Sequence, residues 1–531
     1  MRMIPTDSSP RPTFWVLLFS LFLLTRIPAM AEFLSIDNVN LAFALDQFNP
    51  RAHQPQPPGY PLFVLFARSI NFFFNDAEKT FTLIAVVVSG LCLPLAFSIG
   101  ERMFSAWVGV AGAMLLLVNP PFWFSSLEGP IRPHLAFFSL LTAYFAWRSW
   151  HGEKSFVLWG AIALGVGSGF RPDLGAFLFP LWLLSAWMGT RSFAAVIKGL
   201  AVITVIVAAW LGGMAYAVGG LDELYRLNVS YVVEYPNSPS VAPGVSSSAW
   251  LRQFSRLVVW NGLALVAALW VLPIFVRARD RLGLLSTQSV FMVSWLLPGW
   301  LFQSVVHVGD PGHTLFSIPA VCILAAYVIY IGCQKMPDLR EVVLGSAVVF
   351  GTMCFLGFFA LPAAGEPAGG WRSLRNVFVF ATHETSLGQL RYMDTTARLT
   401  MNELRQFTPA DRPVVIVSSD VGRVNWFMNW RIARYYAPSQ DFWILSDIDV
   451  PHRVSYARRN ELRQNIEGLS VPVPQGGRII WLLERDGAFH RALQQAQPEL
   501  SGGAYLSYTD VPSDGQPFRV MDFEFVPGAT H

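Results

Sequence analysis

Apolar runs of about the length that crosses a bilayer recur along the chain before residue 363. They fall near 14–30, 80–99, 105–122, 133–149, 156–170, 174–190, 193–218, 256–276, 287–304, 313–333 and 341–362. A hydrocarbon core about 30 Å thick takes roughly 20 apolar residues as a helix, because nothing in it but the helix itself can satisfy backbone polar groups. The pattern predicts a multi-span α-helical membrane protein with about eleven transmembrane helices. Only 14% of the 531 residues are charged and 53% are hydrophobic, against about 25% charged in soluble domains. An ordinary soluble enzyme is thereby excluded. The net charge is +3, with no block of five or more Lys/Arg, which argues against a nucleic-acid partner. Cys92, Cys322, Cys333 and Cys354 sit in apolar runs without Cys-x-x-Cys spacing. A disulfide framework and a cysteine zinc site are both disfavoured.

Charge density divides the chain. Residues 1–363 hold 38 charged residues and the much shorter 364–531 holds 35. The reading is a membrane domain over 1–363 and a water-facing domain over 364–531. The tail carries strand-like runs at Val414–Val417 and Ile479–Leu483 and an amphipathic stretch at Thr395–Phe407, which together predict a soluble α/β domain.

Orientation follows from the basic residues of the turns. With the N-terminus in the cytoplasm, the inside segments collect Arg2, Arg11, Arg102, Arg148, Lys154, Arg191, Lys198, Arg277, Arg279, Arg281, Lys335 and Arg340, and the longer outside loops hold the remaining nine. This is the positive-inside bias. An odd number of spans then puts the C-terminal domain outside. Its Lys-free, Cys-free composition suits a bacterial inner membrane, with that domain in the periplasm. The first run, preceded by Arg2 and Arg11 and ending near Ala29-Met30-Ala31, has the outline of a signal peptide. A retained anchor is the simpler reading, given the spans that follow.

The outside face concentrates reactive side chains. The first outside loop, 31–79, contains Asp37 just past the first run, then His53-Gln-Pro-Gln-Pro-Pro58-Gly59-Tyr60. The apolar stretch Leu62–Phe74 reaches only about 20 Å as a helix, which suits a helix lying in the membrane interface. A carboxylate near the membrane surface fits a general base for an acceptor hydroxyl; a solvated carboxylate or a helix cap is the other reading of Asp37. Glu128-Gly-Pro-Ile-Arg132-Pro-His134 forms a second cluster and Arg171-Pro-Asp173 a third. An Arg at such a depth costs about 3 kcal/mol or more unless paired or hydrated, so it marks a functional site or a local ion pair. The fourth is His307-Val-Gly-Asp310-Pro-Gly-His313, whose residue types suit a metal but whose spacing defines none. Together, outside carboxylates (Asp37, Glu128) and outside cations (Arg132, Arg171, with His307 and His313) describe a cavity for a phosphorylated lipid and a proton acceptor.

The segments "SIDNVNLAFALDQF", "HQPQPPGYPLF", "NPPFWFSSLEGPIRPHLAFF", "GFRPDLGAFLFPLWL" and "GDPGHTLFSIPA" give the chain a resemblance to the GT-C membrane glycosyltransferases, in particular the protein O-mannosyltransferase-like branch. The motifs cover the region up to about residue 180, the next stretch matches mainly by topology, and the tail adds nothing specific. The resemblance implies a catalytic Asp at Asp37, a second acid at Glu128, and a polyprenyl-phosphate-linked sugar as donor. The residues assigned to the donor phosphate and lipid are His53, Tyr60, Arg132, Arg171, His307 and His313. Many relatives carry a second acid directly after the loop Asp; here Asn38 stands there, which weakens a two-carboxylate metal site and leaves metal dependence open. No other cofactor is implied.

The expected function is transfer of a sugar from that donor to an acceptor hydroxyl of a protein, lipid or glycan at the extracytoplasmic face. A single displacement inverts the anomeric centre, whereas Glu128 as nucleophile would retain it. The competing reading is a transporter or flippase of a lipid-linked sugar, although such proteins usually show internal repeats and none is visible here. The chain has neither a Gly-x-Gly-x-x-Gly nor a P-loop, which fits a lipid-linked donor rather than a nucleotide sugar. In the tail, Asp420 follows a strand-like run, and Trp426, Phe427, Trp430, Tyr435 and Tyr436 read either as a contact surface or as core.

Overall fold

The structure, a computed structural model, describes residues 10, 12–234, 247–269, 286–305, 309–333, 340–356, 382–407, 414–419, 430–445, 453–459, 461–467, 478–482, 505–511 and 519–526. The chain forms two compact units, Met1–Ala31 with Pro57–Leu390, and Glu32–Gln56 with Arg391–His531. The helices begin with α1 (Pro12–Arg26), α2 (Ile36–Asp46), α3 (Pro61–Phe74), α4 (Ala77–Met103), α5 (Ala106–Leu117), α6 (Pro120–Glu128), α7 (Pro133–Trp150), α8 (Phe156–Phe170), α9 (Asp173–Thr190) and α10 (Phe193–Val218).

Each apolar run carries helix. Among the described residues three helices are long and apolar enough to cross a membrane, at Pro12–Ala29, Ala77–Met103 and Phe193–Val218, and a fourth if α5 and α6 make one broken span. Shorter apolar helices accompany them at α3, α8, Ile318–Cys333 and Glu341–Phe355. Of the three, Ala77–Met103 is mostly buried against the rest of the protein, whereas Pro12–Ala29 and Phe193–Val218 are mostly exposed.

The run 105–122 is not one straight helix: α5 and α6 meet at a bend of 53°. Pro120 and Pro121 cannot donate to a continuing helix but fit the first turn of a new one. Asn119 caps that turn, its Oδ1 accepting the Phe122 amide at 3.1 Å. The freed carbonyl of Leu117 accepts from Nη2 of the buried Arg26 at 2.8 Å, and Trp123 Nε1 donates to Thr25 O at 2.9 Å. The end of α1 thus supplies partners that a broken helix otherwise lacks. At the other end of α5, α4 and α5 touch through glycine: a Cβ on Gly109 would stand 2.6 Å from Phe97 O, and one on Gly100 2.9 Å from Gly109 Cα. Only small residues let two backbones approach so closely.

The other unit contains a seven-stranded sheet in the order β4-β3-β2-β1-β5-β7-β6. Its strands are β1 (Val414–Ser419), β2 (Phe442–Leu445), β3 (Arg453–Arg458), β4 (Glu461–Glu467), β5 (Arg478–Leu482), β6 (Tyr505–Val511) and β7 (Arg519–Val526). β1 runs parallel to β2 and to β5, with Ile416 opposite Phe442 and Ile480, and the outer strands are antiparallel. Ile416, Val417, Ile444 and Ile480 are buried, as the near-continuous apolar runs of central parallel strands require. The helix Trp430–Tyr436 precedes β2, and α2 packs against it.

Candidate functional site

In the first unit three of the segments singled out above converge. Arg132, in the turn between α6 and α7, donates from Nη2 to Asp310 Oδ2 at 2.5 Å, and its Nη1 lies 3.2 Å from His313 Nε2. Arg171, just beyond α8, pairs with Asp173 at the head of α9, with Nη2 to Oδ2 at 3.0 Å and Nε to Oδ1 at 3.3 Å. The local-pair reading of Arg171 therefore holds, yet it does not exhaust the guanidinium. Arg171 is 4% exposed, and its buried Nη1 has no hydrogen-bond partner among the described residues. A buried charged donor left unpaired is costly. The Tyr60 ring lies 5.3 Å from the Arg171 guanidinium carbon.

The Gly-Asp-Pro-Gly-His segment is built to present this geometry. Asp310 caps the 3-10 turn Pro311–Phe316, its Oδ1 accepting the Gly312 amide at 2.8 Å. A Cβ on Gly312 would lie 2.5 Å from Arg132 Cγ, so glycine leaves room for the arginine stem. Gln303 Nε2 donates to His313 O and Gln253 Nε2 to Gln303 O, each at 2.6 Å. Those side chains come from the helices Thr287–Val305 and Ser247–Leu263, so two helices anchor the turn.

Electrostatics decide the protonation states. Burial alone would raise the Asp310 carboxyl, but Arg132, His313 and Arg171 outweigh it and hold it well below the usual carboxylate range. For His313, burial and the arginines push the ring down while Asp310 pulls up, and the net direction is down. Nη1 of Arg132 can only donate, so Nε2 of a neutral His313 accepts, while Nδ1 faces both the Asp310 backbone amide and Asp310 Oδ2, each at 3.2 Å. The cluster is thus two guanidinium ions, two carboxylates and a neutral imidazole.

His134, two residues beyond Arg132, serves the scaffold. Its Nδ1 donates to Pro130 O at 2.8 Å, and its ring stacks on Phe170 at 4.8 Å and meets the edge of Phe63 at 5.4 Å. Glu128 ends α6, half-buried. Tyr60 adopts a left-handed backbone (φ 43°) directly after Gly59 (φ 99°), a conformation that costs a bulky residue about 1 kcal/mol or more. His307 lies outside the described residues. Among the described residues no three His, Cys, Asp or Glu side chains form a group able to hold a metal.

Asp37 and His53 belong to the other unit. Asp37 is half-buried in the first turn of α2, whose N-cap is Ser35, so it is not the cap. His53 has a left-handed backbone, φ 54°. Trp430 is 1% exposed, Tyr435 packs edge-on against Phe43, and Tyr436 against Phe33. Trp430 is thus core and the two tyrosines are half-buried, while Asp420, Trp426 and Phe427 lie outside the described residues. Sequence reading passed over Arg26, Asp394 and the side-chain ties on the segment before α2. For Arg26 there was a signal, a cation inside an apolar run.

No protein-family model matches the sequence, and no curated protein matches it. The structure is similar to that of ArnT from Cupriavidus metallidurans in the apo state, at 14% sequence identity over 96% of this chain and 98% of that one, with a TM-score of 0.57. The same protein bound to undecaprenyl phosphate gives 14% identity over 97% and 98%, with a TM-score of 0.56. At this identity the likeness concerns the fold: the chain has the fold of ArnT.

Proposed function

We propose that the protein is a membrane glycosyltransferase that moves a sugar from a polyprenyl-phosphate donor to an acceptor hydroxyl with inversion. The observation that carries the reading is the unpaired, buried Nη1 of Arg171, in a cluster whose other arginine is Arg132. A phosphate oxygen is the acceptor such a donor suits, because guanidinium binds phosphate strongly and directionally. ArnT, of similar fold, is known bound to undecaprenyl phosphate, which supports a lipid phosphate here.

In this proposal Asp37 takes the proton of the acceptor hydroxyl while the hydroxyl oxygen attacks the anomeric carbon. The bond from that carbon to the phosphate oxygen breaks with its electron pair, and lipid phosphate leaves. Arg171 and Arg132 stabilise the charge that develops on it, with Tyr60, His53, His307 and His313 assigned to the donor and Glu128 to a second acidic role. Residues 1–363 constitute the catalytic membrane domain, with α3 lying in the interface, and 364–531 the soluble one. The motifs favour the O-mannosyltransferase-like branch, and the charge bias favours a bacterial inner membrane with N-terminus inside and tail in the periplasm.

The test is ligand-induced stabilisation. Undecaprenyl phosphate bound to the native state raises the melting temperature in proportion to its affinity. It is expected to do so for the wild type and to fail for Arg171→Ala; equal stabilisation of both would refute the assignment.

A further inference from the structure

The peptide leading into the Asp37 helix is tied down by side chains from the far end of the sequence. Asp394, on the helix Leu387–Phe407, accepts through Oδ1 from the Glu32 amide at 2.9 Å and the Phe33 amide at 3.1 Å. The next amide, Leu34, donates to the Tyr436 hydroxyl at 2.9 Å. Asp394 is 2% exposed, and its other oxygen accepts from Arg391 at 2.9 Å. Arg398 pairs with the Glu32 carboxylate. Further along α2, Phe43 meets Tyr435 edge-on at 5.6 Å and lies 4.4 Å from the Arg434 guanidinium carbon. Three consecutive amides held by two side chains, one a buried carboxylate, fix the start of a helix more tightly than water would.

We propose that Asp394 and Tyr436 are positioning residues for the transfer, holding the entry to α2 and thereby fixing where the Asp37 carboxylate stands. The inference rests on the reading of Asp37 as the base. A base works only within hydrogen-bond reach of the proton it removes, and a misplacement of about 1 Å costs on the order of 100-fold in rate. The C-terminal domain is then part of the catalytic support as well as a separate surface.

The experiment uses the full-length protein in nanodiscs with undecaprenyl-phosphate-linked hexoses and pentoses as donors. Asp394→Ala is expected to lower kcat about 10- to 100-fold, with the donor KM changed less than about twofold. Asp394→Asn, whose amide oxygen still accepts both amides, should recover much of the loss, and Tyr436→Phe should cost only a few-fold. Hydrogen exchange over residues 32–46 should accelerate in Asp394→Ala and Tyr436→Phe while that over 173–190 stays unchanged. Unchanged exchange over 32–46, or faster exchange with unchanged kcat, overturns the proposal. So does a loss in KM alone. A wild type that transfers no sugar strikes the proposed function, whereas unchanged exchange strikes the clamp, so the two failures are told apart.

Discussion

Arg132 and Asp310, 178 positions apart in sequence, form an ion pair at 2.5 Å. The guanidinium side chain is 6% exposed and the carboxylate side chain 36%, so one partner is buried while the other still meets solvent. Removing the carboxylate takes an anionic partner from a buried cation. Asp310→Ala should therefore cost about 1–3 kcal/mol, less than a fully buried pair because solvent screens Asp310. Asp310→Asn should cost less than Ala, since it keeps an acceptor for Gly312. Chemical or thermal unfolding in detergent measures both, and Asp310→Ala at wild-type stability would contradict the pairing.

Arg171→Lys should behave much more like Arg171→Ala than like the wild type. Lys cannot pair with Asp173 through two nitrogens and still present a further donor, which the fork of Arg does through Nε, Nη2 and the remaining Nη1. We expect at least about 10-fold weaker undecaprenyl-phosphate binding in both variants, corresponding to about 1.4 kcal/mol, measured by titration in nanodiscs.

Gly312→Ala places a Cβ 2.5 Å from Arg132 Cγ. The arginine stem must move, and overpacking of this kind costs about 1–3 kcal/mol. Donor turnover should fall with it. Crowding a well-packed contact is the only change, so Gly312→Ala combined with Arg132→Ala should recover stability relative to the additive expectation; strict additivity would contradict the contact.

His313 gives a pH dependence with a definite sign. Its folded-state ionisation is pushed below the ordinary histidine value, near 6.5 in the unfolded chain. Between those values the unfolded state binds more protons, so stability is complete above about pH 6.5 and is lost as pH falls below it. Asp310, already held low, contributes nothing to change in that window. Melting temperatures between pH 7.5 and 5.5 should fall more steeply for the wild type than for His313→Gln; parallel curves would contradict the neutral, buried ring.

What the sequence displayed and what it hid divide along physical lines. Apolar runs forecast helix at each place, and Val414–Val417 and Ile479–Leu483 forecast two strands that pair with each other in the sheet, because burial writes itself into local composition. The short helix after Tyr60 was likewise visible in Leu62–Phe74 and spans Pro61–Phe74. The break inside 105–122 was signalled by Asn119-Pro120-Pro121 but outweighed by the apolarity on both sides. Arg132 and Arg171 were each suspicious alone, as cations where cations are expensive, and His313 as a histidine beside Asp310 at a helix start. Their convergence was not legible, since it depends on helix packing that brings residue 310 to residue 132. The hold of Asp394 and Tyr436 on residues 32–34 was less legible still: a buried carboxylate on an amphipathic helix looks like any surface acid until its partners are known.

The most direct test of the central claim is release of free polyprenyl phosphate from synthetic polyprenyl-phosphate sugars by purified protein in nanodiscs, comparing the wild type with Asp37→Asn and Arg171→Ala. The account predicts donor-dependent release by the wild type and a loss of at least about 100-fold in each variant, the scale on which a general base or a charge-stabilising donor acts. Near-normal release by Asp37→Asn would contradict it, as would movement of sugar lipid across a proteoliposome membrane with no release from any donor.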